Sequence, residues 1–138
     1  MVIHNNPQDA MLFFIAFNGF ISVSMGAFGA HGLRKLLSSV QLQWWQTASL
    51  YLMVHTLAAL GAWIILKLQS PQIQIQRVKY ALCMFLIGNF LFAGSLYTLS
   101  LTQIKILGMI TPIGGACYLI GWTLLGLCVK TKSSDIKG

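Results

Sequence analysis

Four long apolar runs constrain the fold of this chain more than any other feature of its sequence. They cover residues 10–30, 47–67, 80–101 and 106–129, contain no acidic residue, and include one basic residue, Lys67, at the end of the second run. A helix needs about 20 mainly apolar residues to cross the hydrocarbon core of a membrane. The pattern therefore predicts an all-α integral membrane protein, a bundle of four transmembrane helices that forms a single domain over residues 1–138.

Charged side chains make up 8% of the 138 residues, whereas a soluble domain carries about 25%. The two carboxylates, Asp9 and Asp135, lie near the ends of the chain, and nine Lys and Arg residues give a net charge of +7. The basic residues lie between or after the apolar runs, where they are placed to meet anionic lipid head groups. We therefore expect membrane lipids as partners and do not expect nucleic acid.

The distribution of Lys and Arg predicts the orientation of the bundle. Four spans place both termini on one side of the membrane, and cytoplasmic segments carry an excess of basic residues. The side of the termini holds Lys67, Arg77, Lys79, Lys130, Lys132 and Lys137. The opposite side holds Arg34, Lys35 and Lys105. The larger number on the first side predicts that both termini are cytoplasmic.

The connections between the spans are short. Residues 31–46 contain Leu33, Leu36, Leu37 and Val40 at helical spacing, followed by Trp44 and Trp45. This pattern predicts a short amphipathic helix at the membrane interface between spans 1 and 2, with the two tryptophans at the level of the head groups. The segment 68–79 is predicted to form a polar loop, 102–105 a tight turn, and 130–138 a polar tail.

Small residues recur at helical spacing within the spans. The first span carries Ser22, Gly26 and Ala30, and the fourth carries Gly114, Cys117 and Gly121. Such faces allow helix backbones to approach closely. We expect them to pack within the bundle, with contact between protomers as the alternative. Pro112 lacks a backbone donor and predicts either a kink in the fourth helix or its first turn.

Polar side chains from all four spans fall in the half of the membrane away from the termini, if each residue adds about 1.5 Å of rise. This candidate polar pocket comprises His55, Tyr51, Asn18, Asn89, Ser95, Tyr97, Thr111 and His31. Ionisable groups inside a span are costly and often functional, which makes His55 the most informative member. The alternative is a network of hydrogen bonds between helices that holds the bundle together.

Candidate catalytic residues are scarce, and the sequence predicts no catalytic, cofactor-binding or metal-binding residue. No carboxylate lies within the spans for acid–base chemistry. Ser95 with His55 as its base would lack a group that orients the histidine. His31 and His55 are separated by roughly 13 Å of axial rise, too far to ligate one metal or haem. Cys83, Cys117 and Cys128 lack the spacing of a zinc site or a disulfide framework and are interpreted as packing residues.

Four stretches together resemble a known family. They are GAFGAHGL (26–33), WQTASLYLMVHTLAAL (45–60), LFAGSLYTLSLT (91–102) and ITPIGGACYLIGW (110–122). They are similar to the small bacterial membrane proteins of domain-of-unknown-function family 423, which is related to the transmembrane protein 256 family. The resemblance covers residues 10–129 and implies a four-helix protein of the bacterial inner membrane. The family has no established enzymatic activity or cofactor that the resemblance could transfer to this chain.

Three functions follow as hypotheses. The first is a non-enzymatic structural or interaction protein, or one that supports membrane integrity, with a homo-oligomer or another membrane protein as its partner. The second is a small transporter or channel, formed by one chain or by an oligomer, with a polar pocket around His55. The third is lipid binding, which the basic connections and the predicted interfacial helix favour.

Overall fold

Long helices account for the apolar runs in a computed structural model of the chain, which describes residues 7–68 and 70–129, with side chains from residue 10 onward. The α-helices are α1 (Pro7–His31), α2 (Ser39–Leu68), α3 (Ile75–Gly88), α4 (Gly94–Thr102) and α5 (Thr111–Gly126). A π-helical segment, Asn89–Ala93, joins α3 to α4, and a 3₁₀ turn, Lys105–Met109, precedes α5. The predicted polar tail, residues 130–138, lies outside the described part.

Four stretches of helix are long and apolar enough to cross a membrane: Ala10–His31, Ser39–Leu68, Ile75–Thr102 and Lys105–Gly126. The third consists of α3, the π segment and α4 in continuous succession. This confirms the predicted all-α fold with four spans. The second and third spans begin earlier than predicted, at Ser39 and Ile75 rather than at 47 and 80.

The predicted interfacial helix between spans 1 and 2 does not form as a separate element, and that part of the prediction was wrong. Residues 32–38 form turns, and α2 begins directly after Ser38. The Ser38 backbone N–H donates to Gln41 Oε1 at 3.1 Å, and the Gln41 N–H donates to Ser38 Oγ at 3.4 Å. This reciprocal pair is a capping box, which satisfies two free donors at a helix start. Val40, Trp44 and Trp45, which were assigned to the interfacial helix, therefore lie in the first turns of α2, whereas Leu33, Leu36 and Leu37 lie in the turns before it.

Trp45 was predicted at the head-group level but is buried, with 3% of its surface exposed. Its indole Nε1 donates to the Met25 carbonyl of α1 at 2.7 Å. A Cβ atom at Gly29 would collide with the same indole ring. The absence of a side chain at Gly29 thus makes room for Trp45 between α1 and α2. A buried tryptophan needs an acceptor for its N–H, and α1 supplies one.

The central pair of the bundle is α2 and the third span. On this pair, α1 packs mainly against α2, and α5 packs mainly against α3 and the π segment. One apolar cluster includes Ala59, Val78, Leu82 and Phe85, and a second lies around Ala48, Leu52, Ala93 and Leu96. The alanines keep the helices close, which favours van der Waals contact between them.

The fourth span packs within the bundle through glycines, as one of the small-residue faces predicted. A Cβ atom at Gly114 would lie 2.5 Å from the backbone nitrogen of Phe92, and one at Gly121 would lie 2.7 Å from the Phe85 ring. The face on α1 is different from the prediction. Ser22 is buried, but Ala30 is exposed and a Cβ at Gly26 would meet no heavy atom within 4 Å.

Pro112 is in the first turn of α5, so it starts the helix and does not kink it.

The C-terminal end of α5 is covered by the loop that precedes α3 and by the first turn of α3. The Gln74 N–H donates to the Cys128 carbonyl at 2.7 Å, and the Arg77 guanidinium donates to the Leu127 carbonyl. These bonds satisfy carbonyls that a helix end leaves free. The three cysteines are unpaired and partly or fully buried.

Candidate functional site

The middle of the third span departs from α-helical geometry, because Asn89–Ala93 is π-helical. A π turn accommodates one extra residue and rotates the side chains that follow it, and such turns are frequent at functional sites. Asn89 is the first residue of this segment and has 2% of its surface exposed. The irregular turn therefore places a primary amide in the interior of the bundle.

Asn89 is hydrogen-bonded to one residue from each of the other three spans. Its Nδ2 donates to Asn18 Oδ1 of α1 at 3.3 Å and to Thr56 Oγ1 of α2 at 3.2 Å. Its Oδ1 accepts from the Tyr118 hydroxyl of α5 at 3.0 Å. We call these four residues the Asn89 network. Both N–H donors of the Asn89 amide are used, and its carbonyl oxygen is engaged.

The two partners on α1 and α2 are held by their own helices. Asn18 Nδ2 donates to the Phe14 carbonyl at 2.8 Å, and Thr56 Oγ1 donates to the Leu52 carbonyl at 2.6 Å. Each of these bonds returns to the carbonyl four residues earlier in the chain. The side chains are therefore oriented before they meet Asn89, which limits the conformational entropy that the network costs.

His55 lies beside this network in a set of aromatic rings. Its Nδ1 is 2.8 Å from the Tyr51 carbonyl, which can only accept, so Nδ1 carries a proton in this bond. The imidazole stacks on the Tyr118 ring, and Phe85 and Trp122 lie within 6.0 and 6.3 Å between ring centroids. His55 is 6% exposed. Its ring orientation is therefore set by packing as well as by hydrogen bonding.

The remaining residues of the candidate pocket form separate pairs. The hydroxyls of Ser95 and Thr111 are 2.9 Å apart, and those of Tyr97 and Ser49 are 3.0 Å apart. His31 is exposed in the last turn of α1, with Nδ1 3.2 Å from the Ala27 carbonyl. The structure thus divides the predicted set into local pairs. Its role as one functional pocket stays a prediction.

Ser95 does not pair with His55 among the described residues. Its hydroxyl donates to the Phe92 carbonyl at 3.0 Å, and its other partner is Thr111. A nucleophile needs its base within hydrogen-bond reach, and this serine is bonded elsewhere. Within residues 7–68 and 70–129, no three His, Cys, Asp or Glu residues are grouped closely enough to hold a metal ion.

Several participants were missing from the sequence analysis. Thr56 and Tyr118 complete the Asn89 network. Gln41 and Ser100 form a second buried link, in which Gln41 Nε2 donates to the Ser100 carbonyl at 2.7 Å and Ser100 Oγ donates to the Gln41 carbonyl at 2.8 Å. For Thr56, Tyr118 and Ser100 the available signal was their polarity inside an apolar run, and for Gln41 it was the Ser-x-x-Gln capping pattern.

A groove of about 240 Å³ lies between α1 and the third span. Asn18, Asn89 and Tyr97 contribute polar groups to it. The other lining residues are Phe17, Ile21, Leu52, Leu86, Phe90, Ala93 and Gly94. Phe17 and Phe90 are 51% and 80% exposed, so the groove opens sideways, toward the hydrocarbon of a surrounding membrane.

Comparison with known proteins places the chain among bacterial membrane proteins. The family model described as Protein of unknown function (DUF423) matches residues 25–115. The UPF0382 inner membrane protein YgdD of Escherichia coli K12 is 42% identical over 116 residues, which are 83% of this chain and 85% of the relative.

Two relatives from other bacteria have similar coverage. The UPF0382 membrane protein SAB0533 of Staphylococcus aureus is 46% identical over 110 residues, 80% of this chain and 86% of the relative. The UPF0382 membrane protein YwdK of Bacillus subtilis is 43% identical over 110 residues, 80% of this chain and 87% of the relative. No solved structure matches the chain.

Proposed function

Because this chain belongs to the family described as Protein of unknown function (DUF423), we propose that it is a non-enzymatic structural or interaction protein of the bacterial inner membrane. In this role the four spans form a rigid body, and the outward faces of α1 and α5 contact lipids and partner proteins. The observation that carries the proposal is the Asn89 network, in which one amide is bonded to all three other spans.

Several polar groups of the interior bond one helix to another. Hydrogen bonds between membrane helices contribute about 0.6 kcal/mol each on average, so the three bonds of Asn89 contribute about 2 kcal/mol. His55 is bonded to a backbone carbonyl and packed between aromatic rings. Groups engaged in this way support a fixed arrangement of the spans better than binding and release of a substrate.

The outer face of α1 supports the interaction role. Phe13, Phe17 and Phe20 follow one another at helical spacing and are 67%, 51% and 67% exposed. The Phe13 and Phe17 rings are stacked, with centroids 6.4 Å apart. Ordered aromatic side chains offer large contact area at low entropic cost, which suits contact with a second copy of the chain or with another membrane protein.

Crosslinking in native membranes tests this proposal. A photoreactive amino acid at Phe20 is expected to yield a protein adduct, whereas the same group at the buried Ile15, which faces the interior, is the matched control and is expected to yield none. Recovery of a monomer alone from the Phe20 variant, with lipid as its only adduct, would overturn the interaction role.

The π segment favours a second candidate, a small transporter or channel with a polar pocket around His55. Transporter sites are often built at interrupted helices near the middle of the membrane, and Asn89–Ala93 is such an interruption. Flux of small neutral solutes into liposomes, compared between wild type and His55→Ala, tests it. Equal flux in both, or none above protein-free liposomes, removes His55 from a transport role.

We further propose that both termini face the cytoplasm. The support is the larger number of basic residues on the side of the termini, including Lys67 and Arg77. Arg34, Lys35 and Lys105 would then face the opposite side. Contact of either basic surface with anionic lipids is the lipid-binding alternative, and native mass spectrometry of the protein with retained phospholipid tests it.

A further inference from the structure

The groove between α1 and the third span lies near the middle of the membrane. Asn18 is close to the midpoint of α1, and Asn89 is close to the midpoint of Ile75–Thr102. With a hydrocarbon core about 30 Å thick, this depth is roughly 15 Å from either interface. At this depth we expect the polar end of the groove to lie beyond the reach of water and of lipid head groups.

The hydrogen bonds at this polar end leave one donor unused. The amide of Asn89 spends both N–H groups on Asn18 and Thr56. The amide of Asn18 also has two N–H groups, and one donates to the Phe14 carbonyl. No described residue accepts the second. An unsatisfied donor is costly in hydrocarbon, so the groove favours an occupant that supplies a hydrogen-bond acceptor.

The walls of the groove limit the rest of that occupant. Apart from the three polar residues, the lining is aliphatic, aromatic or glycine, and the opening lies between Phe17 and Phe90. A dry apolar cavity of about 150 Å³ accommodates benzene, so a groove of about 240 Å³ accommodates a substituted ring. A longer apolar chain would extend through the opening into the bilayer.

We propose that this groove binds a membrane-soluble carbonyl compound of the quinone type, with a ring carbonyl accepting the free N–H of Asn18. The depth of the site distinguishes this ligand from a phospholipid, whose carbonyls are held at the interface by the head group. A quinone has no charged head group and moves freely at mid-membrane depth. Quinone binding does not depend on the proposed structural or interaction role, because it is inferred from the groove and the free N–H of Asn18 alone.

Gly94 offers a direct way to fill the groove. It lines the cavity, and a Cβ atom there would meet no heavy atom within 4 Å. Gly94→Leu is therefore expected to place its side chain in the groove, since no heavy atom opposes the new Cβ, and Gly94 is not a member of the Asn89 network. Gly61→Leu is the matched control, because a Cβ at Gly61 also meets no heavy atom within 4 Å and Gly61 does not line the groove.

The experiment measures equilibrium binding of radiolabelled decylubiquinone to the purified full-length protein in detergent micelles, with unlabelled decylbenzene as competitor. Wild type and Gly61→Leu are expected to show saturable binding at one site that decylbenzene does not displace. Gly94→Leu is expected to weaken binding at least tenfold. Asn18→Leu is expected to weaken it about fivefold, the effect of one hydrogen bond. Thermal unfolding of each variant verifies that it is folded.

Three outcomes would overturn the proposal. Absence of saturable binding to wild type excludes the site. Equal binding by wild type and Gly94→Leu places the quinone elsewhere on the protein. Displacement by decylbenzene at the same concentration as by unlabelled quinone means that the groove accepts any apolar chain and that the carbonyl is not recognised. If Asn18→Leu does not fold, Gly94→Leu and the decylbenzene competition still decide the question.

Discussion

The imidazole ring of His55 lies on the phenol ring of Tyr118, with the ring centroids 3.5 Å apart and the planes 11° from parallel. The same phenol donates to Asn89 Oδ1 at 3.0 Å. Tyr118 therefore joins two groups that the sequence presented separately, the histidine of α2 and the asparagine of the third span. Substitution of His55 is therefore expected to affect the packing around Asn89, and substitution of Asn89 the packing around His55.

Replacement of Asn89 by leucine removes three hydrogen bonds between spans. Asn18 and Thr56 keep their bonds to backbone carbonyls, whereas the Tyr118 hydroxyl loses its partner. We expect the free energy of unfolding to fall by about 2 kcal/mol, three times the average for such bonds. Reversible unfolding in mixed micelles of increasing dodecyl sulfate content measures it.

Thr98→Val is the control for Asn89→Leu. Thr98 is exposed, and its hydroxyl is bonded to the Gly94 carbonyl of its own helix. Its replacement should leave the unfolding curve within a few tenths of a kcal/mol of wild type, as is usual for surface positions. If Asn89→Leu shifted the curve no more than Thr98→Val, the Asn89 network would have no role in stability.

Two substitutions of Tyr118 separate its hydrogen bond from its ring. Tyr118→Phe keeps the stacking on His55 and loses the bond to Asn89, so a loss of about 0.6 kcal/mol is expected. Tyr118→Ala also removes a ring that is 3% exposed, and deletion of a buried aromatic side chain costs about 3–5 kcal/mol. The same unfolding assay measures both, with Tyr80→Phe at an exposed tyrosine as the control. Equal losses for the two Tyr118 variants would contradict this division.

Addition of one methyl group at Gly114 tests the close packing of α5 on the third span. A Cβ there would lie 2.5 Å from the Phe92 backbone nitrogen, which belongs to a helix and moves little. Gly114→Ala is expected to destabilise the protein by about 1–3 kcal/mol, as overpacking does. Gly126→Ala, at a site with no heavy atom within 4 Å of the new Cβ, is expected to be neutral or slightly stabilising because alanine favours helix. A stable Gly114→Ala variant would mean that α5 does not pack on Phe92.

Reporter fusions test the proposed orientation. Alkaline phosphatase is active only outside the cytoplasm, so a fusion after residue 138 should be inactive and one after Lys105 should be active. Green fluorescent protein at the same two positions is expected to give the reverse result. Phosphatase activity at the C-terminal fusion, with fluorescence at Lys105, would invert the bundle and show that Arg34 and Lys35 outweigh the other basic residues.

Part of the interior followed from the sequence by depth alone. Asn18 and Asn89 were predicted in the same half of the membrane, and their side chains meet at 3.3 Å. Depth depends on the rise per residue, which is nearly constant along a helix. Whether two residues at one depth face each other depends on the rotation of each helix. For this reason Thr56 and Tyr118 were missed, and Ser95 and Tyr97 were grouped with His55, to which neither is hydrogen-bonded.

The π segment is a second reason why side-chain contacts could not be predicted from the sequence. One extra residue in a turn rotates every side chain beyond it relative to an α-helix. No residue type in the segment NFLFA predicts that insertion. Trp45 was predicted at the membrane interface from its position next to Trp44 after an amphipathic stretch. The space at Gly29 and the acceptor provided by the Met25 carbonyl place it inside the bundle instead. Both outcomes required the neighbouring helix to be known.

By itself the sequence determined that the chain resides in a membrane and crosses it four times, because insertion depends on the length and composition of each apolar run. The tertiary structure alone decided which polar groups are paired and where a groove is left. Those features depend on the distances and rotations of several helices at once. In an apolar medium a hydrogen bond forms only when both partners are brought within about 3 Å of each other.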